Sequence, residues 1–220
     1  MIVPRFLRTT FETYQDVAVE YDKFFRDEIA TKPLDRAMID AFAGLVLAAG
    51  SGPVADIGCG AGRMTAHLND LGVPVHGIDI SPNMIEVAGR AHPGLRFEVG
   101  SMLDLNLPDD SLGGVLGWYA ISHIPDDHLP VVLAEFHRVL APGAYVLLSF
   151  HVGDEPLHLD EAFGHTISLD FYMRQPETVA ELLERAGLPV HARMVREPND
   201  SGQYPDHTQQ AFLLARKHVP

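Results

Sequence analysis

The chain has 220 residues, 46% of them hydrophobic, which suits one domain with a sizeable core. Its 30 acidic against 16 basic side chains give a formal net charge of −14, with no Lys/Arg cluster, so DNA, RNA and anionic membranes are poor partners. No apolar run reaches the ~20 residues of a membrane span, the first residues show no signal-peptide pattern, and a single cysteine, Cys59, excludes an intrachain disulfide, so the expected setting is cytoplasmic.

Residues Thr10 to Ala30 place Phe11, Tyr14, Val17, Ala18, Tyr21 and Phe25 at three- and four-residue spacing and predict one helix. A second helix runs from Pro33 to Ala49, with proline in its first turn and "AAGSG" as its stop. A strand–helix rhythm follows. "PVADIG" reads as a buried strand, "GRMTAHLNDLG" as a helix and "VPVHGIDI" as a strand. "SPNMIEVAGRAH" is a helix capped by Ser81 with Pro82 at its first position. "LRFEVG" and "LGGVLGWYAI" are strands, "PDDHLPVVLAEFHRVL" is a helix closed by the turn "LAPGA", and "AYVLLSFHV" is a strand. Residues 153–174, rich in His and acidic side chains, are expected to be an irregular lid. "QPETVAELLERAG" is the last helix, and "VHARMVRE" and "QQAFLLARK" read as an antiparallel pair at the sheet edge. The alternation predicts a doubly wound α/β sheet, mostly parallel, with helices added at the N-terminus.

The glycine loop "DIGCGAGR" lies in the first strand-to-helix turn, where doubly wound sheets bind ligands. A dinucleotide fold wants G-x-G-x-x-G/A, but Arg63 stands where the third small residue belongs; a P-loop would need a lysine that is absent. Asp56 precedes the loop, and Asp79 ends the second strand about 20 residues on, where a carboxylate can accept both hydroxyls of a ribose. A cofactor with a ribose, an ammonium and no pyrophosphate matches.

"VADIGCGAGRMT", "VHGIDISPNMIEVA", "GSMLDLNLPDDSLGGVLGWYAISHIP" and "EFHRVLAPGAYVLLSF" together resemble the successive motifs of class I S-adenosylmethionine-dependent methyltransferases, in the small-molecule branch with an N-terminal helical cap. The resemblance implies a Rossmann-like, mostly parallel seven-stranded sheet with an antiparallel C-terminal strand. It divides the chain into a cap, residues 1–32, and a methyltransferase region, residues 33–220. It implies S-adenosylmethionine (SAM) as cofactor, S-adenosylhomocysteine (SAH) as product and a small organic acceptor. Gly58, Gly60 and Gly62 would face the cofactor's amino-acid end, with Asp56 beneath the loop; Asp79 would take the ribose hydroxyls, and Ile80 and Met84 would pack on the adenine. The family's Gly-Asp third motif is here Gly100-Ser101-Met102, so Ser101 would bond the adenine amino group without charge and Met102 would cover the ring edge. Gly113 and Gly114 stand where many relatives are acidic, Trp118 would lie beside the methionine part, and Tyr14 resembles a cap tyrosine that reaches the cofactor carboxylate.

Methyl transfer is an in-line displacement that asks the protein mainly to position and desolvate, with a base only where the acceptor loses a proton. His123 and His151 are the candidate catalytic bases, and Trp118, Tyr119, Phe163, Phe171 and Tyr172 candidate acceptor walls. His151, His158 and His165 recur at a spacing that matches no ligand pattern, so no metal is expected. Two other readings stay open: a SAM-binding protein without transfer, and an NAD-dependent oxidoreductase.

Overall fold

The computed structural model describes residues 5–199 and 201–219, so residues 1–4 of the expected cap lie outside the described residues. After a 3-10 turn at Arg5–Leu7 come three short α-helices: α1 (Arg8–Asp16), α2 (Ala18–Phe25) and α3 (Glu28–Thr31). The single helix expected over Thr10–Ala30 is thus broken. Val17 leaves helical geometry (φ −102°, ψ 6°) and is 1% exposed, and Asp27 interrupts the chain in the same way. The breaks let short segments wrap a curved surface that one straight helix would leave. Helix α4 (Pro33–Ala49) has the expected bounds, with Pro33 in its first turn and Gly50 closing it in the left-handed conformation.

The alternating core then runs β1 (Val54–Ile57), α5 (Arg63–Asp70), β2 (Val75–Asp79), α6 (Pro82–Ala91), β3 (Arg96–Val99), β4 (Leu112–Trp118), α7 (Leu129–Val139) and β5 (Leu140–His151). Ser81 caps α6 as expected, its hydroxyl accepting from the Met84 amide at 3.2 Å. "LAPGA", expected as a turn, belongs to β5, whose pairing with β4 shifts register between Leu112 and Gly114. Residues 153–174 are not irregular either: β6 (Leu157–Ala162) and β7 (His165–Phe171) form a two-stranded hairpin separate from the main sheet. The chain ends with α8 (Pro176–Arg185), β8 (Val190–Arg196) and β9 (Gln210–Arg216).

The main sheet has the order β3-β2-β1-β4-β5-β9-β8, parallel except for β9, which is antiparallel to both neighbours. Alternate residues feed its two faces, as the pleat requires. Ala55, Ile57, Val146, Leu148 and Phe150 pack with Val132, Phe136, Val179 and Leu183 of α7 and α8. Val54, Tyr145 and Leu147 pack with Ile39, Phe42 and Val46 of α4 and Met64 and Leu68 of α5. Gly114 lets α4 close on the sheet, because a Cβ there would meet Phe42 and Val46 at 2.9 and 3.0 Å. A third, small cluster joins Val17 to Ile167 and Leu169 of the hairpin, with Tyr14 and Tyr21 against it.

Candidate active site

The strand order reverses between β1 and β4, and at the carboxyl ends of these strands lies a cavity of about 520 Å³. That volume falls within the roughly 300–1,000 Å³ of small-molecule sites. The sheet edge and glycine loop form one side, and the N-terminal helices and hairpin cover it. Of the sequence-predicted residues, Tyr14, Asp56, Gly58, Gly60, Asp79, Ile80, Met84, Ser101, Met102, Trp118, His123 and His151 all line it.

Gly62 does not. It sits at φ 82° with Phe97 and His92 where a Cβ would be, so its smallness serves the packing of α5 against β3 rather than the cavity. Gly60, at φ 53°, has only Tyr21 within 4 Å of a built Cβ, so that glycine keeps the loop backbone open to the cavity. The loop is tied to β2 by Asp79, whose Oδ2 accepts from the Gly60 amide at 2.9 Å while Oδ1 accepts from the Ser81 amide at 2.8 Å. Each oxygen keeps a further lone pair. Asp56 accepts from the Thr65 hydroxyl at 2.6 Å through Oδ2, and its Oδ1 is buried with no hydrogen-bond partner among the described residues. Burial raises the Asp56 carboxyl to about 7 and also pushes Asp79 above the ordinary range. Two buried carboxylates outside any ion pair among the described residues fit a cofactor that brings positive charge and hydroxyls. Beyond the end of β3, the Ser101 hydroxyl accepts from the Leu103 amide at 3.3 Å.

The Tyr14 hydroxyl meets His123 Nε2 at 2.8 Å, across 109 residues of chain. His123 Nδ1 lies 2.8 Å from the Asp170 carbonyl, which can only accept, so Nδ1 carries the proton and Nε2 accepts from Tyr14. Both nitrogens are therefore engaged, and burial lowers the imidazole to about 4. His151 differs. Its ring tilts against Tyr119 with centroids 4.9 Å apart and meets Phe171 edge-on at 5.8 Å, and it makes no side-chain hydrogen bond among the described residues. Burial lowers it to about 4 as well, so both rings are neutral near pH 7.

An alternating chain of charges, not foreseen from the sequence, runs along the wall. Asp35 takes a two-pronged bond from Arg196 at 2.6 and 3.1 Å; Arg196 also reaches Asp206 at 2.7 Å. Asp206 meets Lys32 at 2.8 Å, Lys32 meets Glu28 at 3.1 Å, and Glu28 meets Arg63 at 3.0 Å. Arg63 also donates to the Phe25 carbonyl at 2.9 Å and lies over the Tyr21 and Phe25 rings. The residue that argued against a dinucleotide thus fastens the N-terminal helices to the glycine loop. Gln15 is a second fastener, accepting from the Ser81 hydroxyl at 2.6 Å and the Asn83 amide at 2.8 Å. No local pattern marks these residues, because each partner lies on a different element. The hairpin is held by Arg174, 4% exposed, which bonds Asp126 at 2.8 Å and the carbonyls of Ile121 (3.0 Å) and Ile124.

Comparison with known proteins matches residues 54–143 to the family model described as a methyltransferase domain. An uncharacterized methyltransferase of Oceanobacillus iheyensis is 31% identical over 141 residues, 62% of this chain and 62% of that protein. Ajmaline N-methyltransferase of Rauvolfia serpentina is 34% identical over 104 residues, 44% of this chain and 35% of that protein. The chain thus spans less than two thirds of the length of these curated relatives. The solved DhpI–SAH complex superposes with a TM-score of 0.72 at 22% identity, covering 98% of both chains.

Proposed function

We propose that the chain, whose residues 54–143 match a methyltransferase domain, is a class I S-adenosylmethionine-dependent methyltransferase that binds SAM and methylates a small organic molecule. The observation that carries this reading is the pair of buried carboxylates, Asp56 and Asp79, neither in an ion pair among the described residues, beside the Gly58–Gly60 loop in the cavity. When bound, SAM supplies a methyl group on a positively charged sulfur that leaves as a neutral thioether. Asp79 has lone pairs to spare for ribose hydroxyls while it holds the loop, Asp56 lies beneath the loop and orients it, and Ile80, Met84, Ser101 and Met102 form the adenine wall. Trp118 flanks the methionine part.

In this reading the N-terminal helices form a cap and the hairpin a lid over the acceptor. Tyr14 and His123 act as the latch between them. With Nε2 already taking the Tyr14 proton, His123 in this closed state positions rather than abstracts. The relative named ajmaline N-methyltransferase supports a small-molecule acceptor. The acidic composition supports the absence of a nucleic-acid partner. No helix among the described residues is long and apolar enough to cross a membrane.

Thermal unfolding tests the proposal. SAH raises the melting temperature by binding the native state, and NAD leaves it unchanged; stabilisation by NAD and not SAH overturns the reading. Asp79→Ala weakens SAH by about 1.5–3 kcal/mol, the usual worth of hydrogen bonds to a charged group. Unchanged affinity by calorimetry removes Asp79 from the cofactor site. Methyl-labelled SAM incubated with cell extract then shows whether label enters small molecules or macromolecules.

A further inference from the structure

We propose that the methyl acceptor is an uncharged, largely apolar molecule bearing one O–H or N–H, and that His151 accepts the hydrogen bond from that group and its proton as it is methylated. This rests on the methyltransferase reading above.

The charge argument is one of elimination along the cavity wall. Its cations are Lys32 and Arg63, and both are already paired: Lys32 with Glu28 and Asp206, Arg63 with Glu28. Their side chains are only 10% and 12% exposed. An anionic acceptor would have to break a pair and leave a carboxylate buried beside it, a costly exchange. A cationic acceptor fares no better, because Glu28 and Asp206 are held by those same cations. The carboxylates that lack a cation, Asp56 and Asp79, sit at the glycine loop on the cofactor side. Beyond those ion pairs, the hairpin presents apolar Leu159, Phe163, Ile167, Leu169 and Phe171, and the cap adds Phe24 and Phe25 beside the uncharged hydroxyls of Thr10, Thr13, Tyr14 and Tyr21.

The acceptor's protic group is placed at the candidate base that keeps a free, reachable nitrogen; Tyr119 and Gln210 also line the cavity with an unpartnered oxygen, but those atoms are fully buried. His123 has both nitrogens engaged, whereas the His151 ring lines the cavity with no hydrogen-bond partner among the described residues. Its contacts are to ring faces and edges, Tyr119 and Phe171, which hold it without consuming either nitrogen. The acceptor's oxygen or nitrogen forms the bond to the methyl carbon as the carbon–sulfur bond breaks with its electron pair left on sulfur. The acceptor's proton moves to the free imidazole nitrogen and then to solvent. Positive charge passes from sulfur to imidazole, so the cavity holds one such charge before and after. That conservation lets a neutral, buried histidine serve, because no additional charge has to be buried.

Trp118 is the chain's only tryptophan and lines the cavity, so energy transfer from it to a naphthyl ring reports occupancy without turnover. The protein is saturated with SAH, whose binding is measured separately by calorimetry, and titrated with 2-naphthol, 2-methoxynaphthalene, 2-naphthyl phosphate and 1-naphthylmethylammonium. We expect 2-naphthol to bind at least tenfold more tightly than either charged probe and severalfold more tightly than the methoxy compound. Tighter binding of a charged probe, or no binding of 2-naphthol, overturns the uncharged acceptor while leaving cofactor binding intact. Failure of SAH itself to bind overturns the methyltransferase reading instead. His151→Phe, which keeps an aromatic ring, is expected to bind SAH normally and to abolish the advantage of 2-naphthol over 2-methoxynaphthalene. An advantage that survives in that variant assigns the protic group to another residue.

Discussion

Asp56 keeps its carboxyl out of water beneath the glycine loop, with Thr65 on one oxygen and no partner for the other among the described residues. Its folded value of about 7 lies well above the ordinary 3.8. The folded state therefore holds a proton that the unfolded state releases between these values. The stability Asp56 contributes is fully present below pH 3.8 and is lost as pH rises through 7. His123 and His151, lowered to about 4 from 6.5, act oppositely: their contribution is present above pH 6.5 and lost as pH falls through 4. Asp56→Asn isolates the carboxyl. Urea unfolding should show the variant close to wild type near pH 4 and more stable than wild type at pH 8, by up to about 4 kcal/mol for a three-unit shift. The same variant should bind SAH more weakly. A variant that tracks wild type at every pH shows that Asp56 titrates normally.

The N-terminal helices and the hairpin are elements that the sequence discloses unequally. The parallel core was legible because each element carries its own signal: a proline or serine start, a glycine stop, and two-residue or helical apolar spacing. The hairpin carried its signal too, since Leu157, Leu159 and then Ile167, Leu169, Phe171 alternate, with Phe163-Gly164 at the turn in left-handed geometry. Histidines and acids on the outward positions, such as His158 and Asp170 at 2.6 Å, masked it. Asp56 and Asp79, from their spacing about the glycine loop, and Tyr14, from the family resemblance, were legible as residues of the cavity wall, whereas Lys32, Asp206 and Arg196 were not, because their pairing depends on tertiary placement 174 and 10 residues apart. The Tyr14–His123 bond is one of the links from these elements to the strand ends. Tyr14→Phe should cost the closed arrangement about 1 kcal/mol, so amides of α1 should exchange roughly fivefold faster while those of β4 and β5 are unchanged. Equal exchange in the two proteins would mean the latch carries no energy.

Over the whole molecule, burial is divided among three clusters, and their unequal sizes set how the cavity opens. Two large clusters clamp the two faces of the seven-stranded sheet, with most residues of the inner strands β1, β4, β5 and β9 buried. The third holds only Val17, Ile167 and Leu169 as buried members, with partly buried aromatics around them, and it is what joins cap to hairpin. A cluster that small loses little apolar burial on opening, at roughly 25 cal/mol per Å², whereas parting the sheet would forfeit the main core. The remaining ties, Arg63 to Glu28, Gln15 to Ser81 and Arg174 to its carbonyls, run from lid to frame and not through the frame. Cap and hairpin should therefore open as one unit below the free energy of global unfolding. Hydrogen exchange is expected to show α1, α2, β6 and β7 exchanging together and well ahead of β1, β4 and β5. SAH should slow the first group and not the second, because a ligand enclosed by the cap stabilises only the closed form. Cap and hairpin amides that exchange as slowly as the central strands, with or without SAH, would instead make the cavity a permanently closed core that a cofactor enters only through global unfolding.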